Sequence, residues 1–375
     1  MGFQMHANSF GLTLIAITAV VLLSGCGGAT GTISGSTTLP TPGIPSPSPT
    51  LPTNEALAFI PNMAGNVQVI AVPSNSVIAT LSLCCGPDSA ATSARSPYAL
   101  FSQFDSATVT EIDTRTGAPV QYFGGCQPWG VAIDTTGTIG YITQECSFTL
   151  FVVSLPSLSQ IGAVQFPTSC GGMIGVAVNP IEPLLYVACG VQNNQLAVIS
   201  TTSYEILNTI SLPFDRSPYD IVVSPDGSRV YVSTFGVYGY VEVIDANSDA
   251  ILDQIAVGGA SQALAVTPDG SKIYAAALGF SAQQDGTVSV ISTATDTVVT
   301  TIPVGLGPNG VSIDPTGTYV YVTNANDGTI SVISTSSNSV VATISVGGTP
   351  VGFGNFIRPP LAVGTFRKTA RLPSP

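Results

Sequence analysis

Histidine is almost missing from this chain. The single one, His6, lies at the extreme N-terminus, and removal of that segment as a signal peptide would leave none. A Ser-His-Asp triad, a Cys-His dyad, a His-ligated metal and c-type haem are thereby excluded. Charge is scarce too, at 8% of residues. All 21 acidic residues lie between Glu55 and Asp327, and only Arg95, Arg115, Arg216, Arg229 and Lys272 share that span. An acidic body repels phosphate backbones, so nucleic acid is not an expected partner. No C-x-x-C spacing, no Gly-x-Ser-x-Gly elbow and no carboxylate pair spaced for acid/base work occurs. Neither metal nor cofactor is expected, and no residue stands out as catalytic. The N-terminal apolar run, Gly11–Leu23, is too short for a comfortable membrane span and suits a signal-peptide core.

What is present is strand and turn chemistry. There are 39 glycines and 28 prolines. Residues 308–348 read as four short Val/Ile/Thr/Tyr-rich strands, with Gly, Pro, Asn and Asp confined between them. The pattern recurs from Glu55 onward. Tyr98, Tyr141, Tyr186, Tyr231, Tyr274 and Tyr321 mark the second strand of successive copies, and turn signatures such as Pro225-Asp226-Gly227 and Pro268-Asp269-Gly270 precede them. A period of roughly 40–45 residues with four strands per unit is that of a propeller blade. Ala56–Ile60, Val67–Val72 and Val77–Leu83 supply three strands of a further blade. Its missing first strand is expected from 350–357 at the other end. The expectation is an all-β, seven-bladed β-propeller of four-stranded blades over 54–357, its ring closed by the C-terminal strand joining the N-terminal blade.

Leu23-Ser24-Gly25-Cys26, directly after the apolar run, resembles the lipobox of bacterial lipoproteins. The resemblance implies a signal peptide over 1–25 and lipidation of Cys26; an ordinary signal peptide cleaved nearby, or a misassigned start, is the alternative. Residues 26–53 have six prolines, no charge and no aromatic, as in a disordered tether. Residues 358–375 are expected as a disordered tail carrying Arg358, Arg367, Lys368 and Arg371. The implied location is the cell envelope outside the cytoplasm, on the periplasmic or surface side of a bacterial membrane.

Tyr321-Val322-Thr323-Asn324, then Asp327-Gly328-Thr329 and Val340-Val341-Ala342-Thr343-Ile344, resembles the YVTN-family β-propeller repeat. The resemblance covers about 300 residues and is specific for fold. That family includes envelope proteins, and its fold neighbours include lactonases and quinone- or haem-dependent enzymes.

Six cysteines remain after Cys26. A hairpin pairs residues whose numbers have a constant sum, and this sets Cys126 opposite Cys146 and Cys170 opposite Cys189. Both pairs are expected as disulfides on one face of the disc, which an exported protein permits. For Cys84 and Cys85, a vicinal disulfide and separate thiols are both open. The position twelve before each marker tyrosine falls at the channel mouth on that same face, and reads Gly86, Trp129, Ile174, Tyr219, Gln262 and Asn309, with Val351 in the closing blade. Trp129, Tyr219, Gln262 and Asn309, with Arg216, Glu145 and Asp285 from nearby loops, form the candidate ligand site. Aromatics beside amides suit a sugar, a peptide or a neutral small molecule. Trp129 and Tyr219 plugging the narrow end of the channel is the plainer alternative. The expected function is that of an envelope-anchored, monomeric binding or protein-interaction module, its partners the membrane through Cys26 and a glycan, peptide or envelope protein. A lactonase-like or lyase-like propeller enzyme working without histidine is the alternative.

Overall fold

The computed structural model describes residues 50–83, 85–123, 126–190, 194–213, 217–236, 238–278 and 285–361. They form seven four-stranded antiparallel sheets, the blades of a seven-bladed β-propeller. Blade 7 shows the unit: Pro308–Ile313, Tyr319–Asn324, Thr329–Ser334 and Ser339–Ser345. The second and third strands are buried on both sides because each blade is covered by a neighbour on either face, which is why they read as almost unbroken apolar runs. The fourth strand is mostly exposed. The first lines the central channel.

The ring closes as the repeat requires. Blade 1 takes Ala56–Asn62, Asn66–Val72 and Ser76–Ser82 from the N-terminal side. Its innermost strand comes from the C-terminal side, where Ile357 and Arg358 pair with Ala58 and Leu57. Blades 2 to 6 open on Ser89–Ala91, Pro128–Ile133, Met173–Val178, Ser217–Val223 and Ser261–Val266.

The tyrosine marker has a physical role. Tyr141, Tyr186, Tyr231, Tyr274 and Tyr321 are all fully buried. Each is the third residue of its strand and reaches toward the turn between the third and fourth strands of the next blade. Tyr274, for example, donates to Oδ1 of Asn338 at 3.2 Å. One marker needs correction. Tyr98 opens its strand, Tyr98–Gln103, and is only half-buried. Leu100 holds the true marker position in blade 2, and Tyr98 corresponds to Tyr319.

The ordered body is larger than 54–357 at both ends. Leu51 is buried and its N–H bonds to the Arg115 carbonyl. Arg358, expected in a solvated tail, is fully buried, and Leu361 is buried as well. The N-terminal segment, Cys26, Cys84 and residues beyond 361 lie outside the described residues. Among the described residues no helix is long and apolar enough to cross a membrane.

Candidate functional site

Each first strand runs from the cysteine-bearing face to the face carrying the Pro-Asp-Gly turns. Cys126–Cys146 and Cys170–Cys189 are both disulfides, with Cα–Cα separations of 5.6 and 4.8 Å. They tie the approach to a first strand to the end of the second strand in blades 3 and 4, as the hairpin register predicts.

With Leu100 as the marker, the mouth position of blade 2 is Asp88, not Gly86. The mouth layer therefore reads Val351, Asp88, Trp129, Ile174, Tyr219, Gln262 and Asn309 around the ring. One arc is aromatic and aliphatic. Trp129 meets Phe104 edge-on at 5.0 Å and Tyr219 at 6.1 Å, and Tyr219 meets Phe235 at 5.8 Å. The other arc is polar. Asn309 donates to Gln262 Oε1 at 3.1 Å. Trp129 Nε1 and Asn309 Oδ1 are buried without partners, so the layer holds an unused donor and an unused acceptor.

Phe353 is the residue that sequence reasoning missed. In blade 7 Ser312, which pairs with the marker Tyr321, lies three positions after Asn309. In blade 1, Val351 donates to Pro61 O, and Phe356 O accepts from Phe59, the marker of that blade. The strand is thus two residues longer and loops inward. Phe353 O accepts from Ala90 N at 2.9 Å, and its ring packs 6.1 Å from Trp129 and 5.2 Å from Tyr219. Gly354 permits this loop: its φ is +80°, and a Cβ there would lie 2.7 Å from the Ala90 carbonyl. The signal in the sequence was the Gly352-Phe353-Gly354 triplet, which has no counterpart in the other first strands. Trp129, Tyr219 and Phe353 close the channel, and the gap beside them is only about 10 Å³.

The carboxylates at this mouth are perturbed by burial. Asp88 is pushed up to about 6, opposed by the Phe104 N–H it accepts at 2.9 Å and reinforced by Asp105. Glu145 is raised by burial. Tyr219 is raised first by burial and then by the charges of Asp88, Glu145 and Asp220. Asp285 opens a strand and pairs with Leu306 in blade 6; Arg216 lies outside the described residues. The turn carboxylates Asp226 and Asp269 are structural. Both are held down at about 2 by serine and threonine hydroxyls and serine N–H groups of their own turns.

Below the plug, the channel widens into a cavity of 420 Å³ that reaches the Pro-Asp-Gly face, where Thr135 and Pro268 are exposed. Among the described residues no group of three or more metal-ligating side chains is assembled.

The sequence matches no family model and no curated protein. Solved structures share the fold. The chain is similar to hydrazine synthase of Kuenenia stuttgartiensis (20% identity, 71% of this chain and 88% of that one, TM-score 0.63). It is similar to a functionally unknown protein from Desulfotomaculum acetoxidans (14% identity, 80% and 100% covered, TM-score 0.65). It is also similar to the Cps50 (Swd1) β-propeller domain of Myceliophteria thermophila (15% identity, 71% and 89% covered, TM-score 0.58). At these identities the likeness establishes the propeller fold alone.

Proposed function

We propose that this chain is a lipid-anchored binding module of the bacterial envelope, built on a YVTN-like repeat and carrying its ligand surface on the cysteine-bearing face. The observation that carries the reading is the two-sided mouth: an aromatic wall of Phe104, Trp129, Tyr219 and Phe235 opposite Asp88, Gln262 and Asn309, with the Trp129 Nε1–H and Asn309 Oδ1 unused. Stacking surface beside a free donor and acceptor fits a glycan or an extended peptide. Two disulfides stiffen the loops around it and accord with a location outside the cytoplasm. The chain joins the propeller on the opposite face, where Leu51 packs and Thr53 O accepts from Leu361 N.

Trp129 is the only tryptophan, so its fluorescence reports on the site directly. The test is calorimetric titration of the purified chain with glycan and peptide panels, followed in the parent by Trp129 fluorescence as well, with Trp129→Ala and Asn309→Ala as controls. Binding lost in both variants with little change in Tm supports the reading. A collapse of Tm in Trp129→Ala, with binding retained in Asn309→Ala, would show the aromatic cluster to be a plug alone.

A second reading rests on the raised carboxylates Asp88 and Glu145 next to Tyr219. Two such groups are suited to proton transfer in a lactonase-like or lyase-like reaction. Turnover of a lactone panel that disappears in Asp88→Asn would favour it.

A further inference from the structure

We propose that the channel cavity on the Pro-Asp-Gly face is a second ligand pocket, distinct from the mouth, which takes a small apolar molecule bearing a protonated amine that pairs with Asp220. The cavity volume of 420 Å³ lies in the range of small-molecule pockets. Its walls are aliphatic, with Val131, Val176 and Val311 among them. It is closed at its inner end by the Trp129–Tyr219–Phe353 cluster, and Asp220 sits at that closed end, lining both the cavity and the gap beneath the cluster.

Asp220 is a departure from the repeat that the fold does not need. At its position the other six blades carry Ser89, Gly130, Gly175, Ala263, Gly310 and Gly352. Every one of those blades is completed without a carboxylate. Asp220 is 6% exposed and accepts from the N–H groups of Ile221 and Leu264, both at 2.9 Å. Those two bonds orient it, and each carboxylate oxygen keeps a further lone pair. Burial pushes it up to about 7 despite them, as for a carboxylate held away from water without a counter-charge. Among the described residues the only other carboxylate on the walls is Asp314, which is spent on its own turn. Among the described residues no Lys, Arg or His lines the cavity, and Arg358 donates instead to the carbonyls of Pro52 and Pro359. The lining thus repels anions such as fatty acids, welcomes an apolar body and offers one unpaired negative group at its end.

The test uses octylamine, octanol and octanoate against the purified chain by calorimetry. Octylamine is expected to bind at one site, and about ten- to hundredfold more tightly than octanol, the range for a hydrogen bond between charged groups. Octanoate is expected not to bind. Asp220→Asn should remove the advantage of octylamine while leaving octanol unchanged. Ala132→Phe, which fills the cavity from its wall without touching Asp220, should abolish both and guards against a folding defect in the first variant. Asn309→Ala, which alters the mouth without touching the cavity or the cluster that closes it, should leave octylamine affinity within about twofold, separating this pocket from the mouth. Equal affinity for octylamine and octanoate, undiminished octylamine binding in Asp220→Asn, or no octylamine binding at all would overturn the proposal.

Discussion

The Tyr321 hydroxyl donates to Oδ1 of Asn75 at 2.7 Å, joining the last complete blade to the first across the point where the ring closes. Two residues far apart in sequence thus repeat the bond that Tyr274 makes to Asn338 between blades 6 and 7. Asn75 and Asn338 share a left-handed backbone, with φ of 58° and 47°, which aims each side chain back at the preceding blade. Asn tolerates that conformation better than most residues.

This pair should be measurable in stability. Tyr321→Phe loses one buried hydrogen bond, about 1 kcal/mol. Asn75→Ala loses the same bond and adds the cost of left-handed backbone, about 1 kcal/mol more. Asn75→Gly keeps the backbone and loses only the acceptor. In a urea-denaturation cycle, Tyr321→Phe should add little in the Asn75→Gly background; full additivity would show that the two side chains do not interact.

The two disulfides differ in burial and should differ in reduction. Cys170 and Cys189 are 1% and 2% exposed, whereas Cys126 and Cys146 are exposed. A mild reductant at neutral pH should open Cys126–Cys146 first, because thiolate attack needs access. Mass spectrometry after timed alkylation reads the order. Each bridge closes a loop of similar length, with separations of 20 and 19 residues, so complete loss of either should cost on the order of 3 kcal/mol.

Much of this was legible in the sequence, for identifiable reasons. Period, turn chemistry and hairpin register are local properties, and they were enough for seven blades, for closure and for both disulfides. The errors came where one residue type fits two positions. Tyr98 resembles a marker because a half-buried first position accepts tyrosine as readily as the buried third, as Tyr319 and Tyr321 show side by side. That slip of two residues hid Asp88 behind Gly86. Phe353 and Arg358 were missed for a different reason. Their surroundings are set by distant chain, Tyr219 and Trp129 for Phe353 and Pro52 for Arg358, and no local pattern reports an inward loop or a buried arginine.

Glu111 should make the protein more stable in mild acid than at pH 8. It lies in the third strand of blade 2, fully buried, with neither carboxylate oxygen partnered. Burial, and then the Asp113 charge, push it from 4.5 up to about 7. The folded state therefore holds a proton that the unfolded chain releases. Stability falls as pH rises from about 4.5 through about 7 and levels off above. Asp88 and Asp220 act in the same direction from 3.8, with folded values of about 6 and about 7. Glu111→Gln should match the parent near pH 4 and exceed it at pH 8 by on the order of 2 kcal/mol. Denaturant midpoints across that range read the change in slope, and a parent curve that climbed toward pH 8 would refute the assignment.

The last prediction concerns where the folded body ends. Arg358 buries its whole side chain, donating to Pro52 O at 2.7 Å and Pro359 O at 3.2 Å. Burial lowers its pKa to about 10, partly offset by Glu55. Three residues on, Leu361 is buried and donates to Thr53 O at 2.8 Å, while Leu51 is buried and donates to Arg115 O at 2.9 Å. The two chain segments thus hold each other on the Pro-Asp-Gly face, and each loses its cover without the other. Ending the chain after Leu361 should leave the denaturation midpoint unchanged. Ending it after Ile357 removes a buried leucine, worth about 1.5–3 kcal/mol, and several hydrogen bonds of about 1 kcal/mol each. It also leaves the Pro52 and Thr53 carbonyls without these partners, so a loss of about 4 kcal/mol or more is expected. Equal stability of the two truncated chains would show that this clasp contributes nothing to closure, and that the pairing of Ile357 with Ala58 suffices.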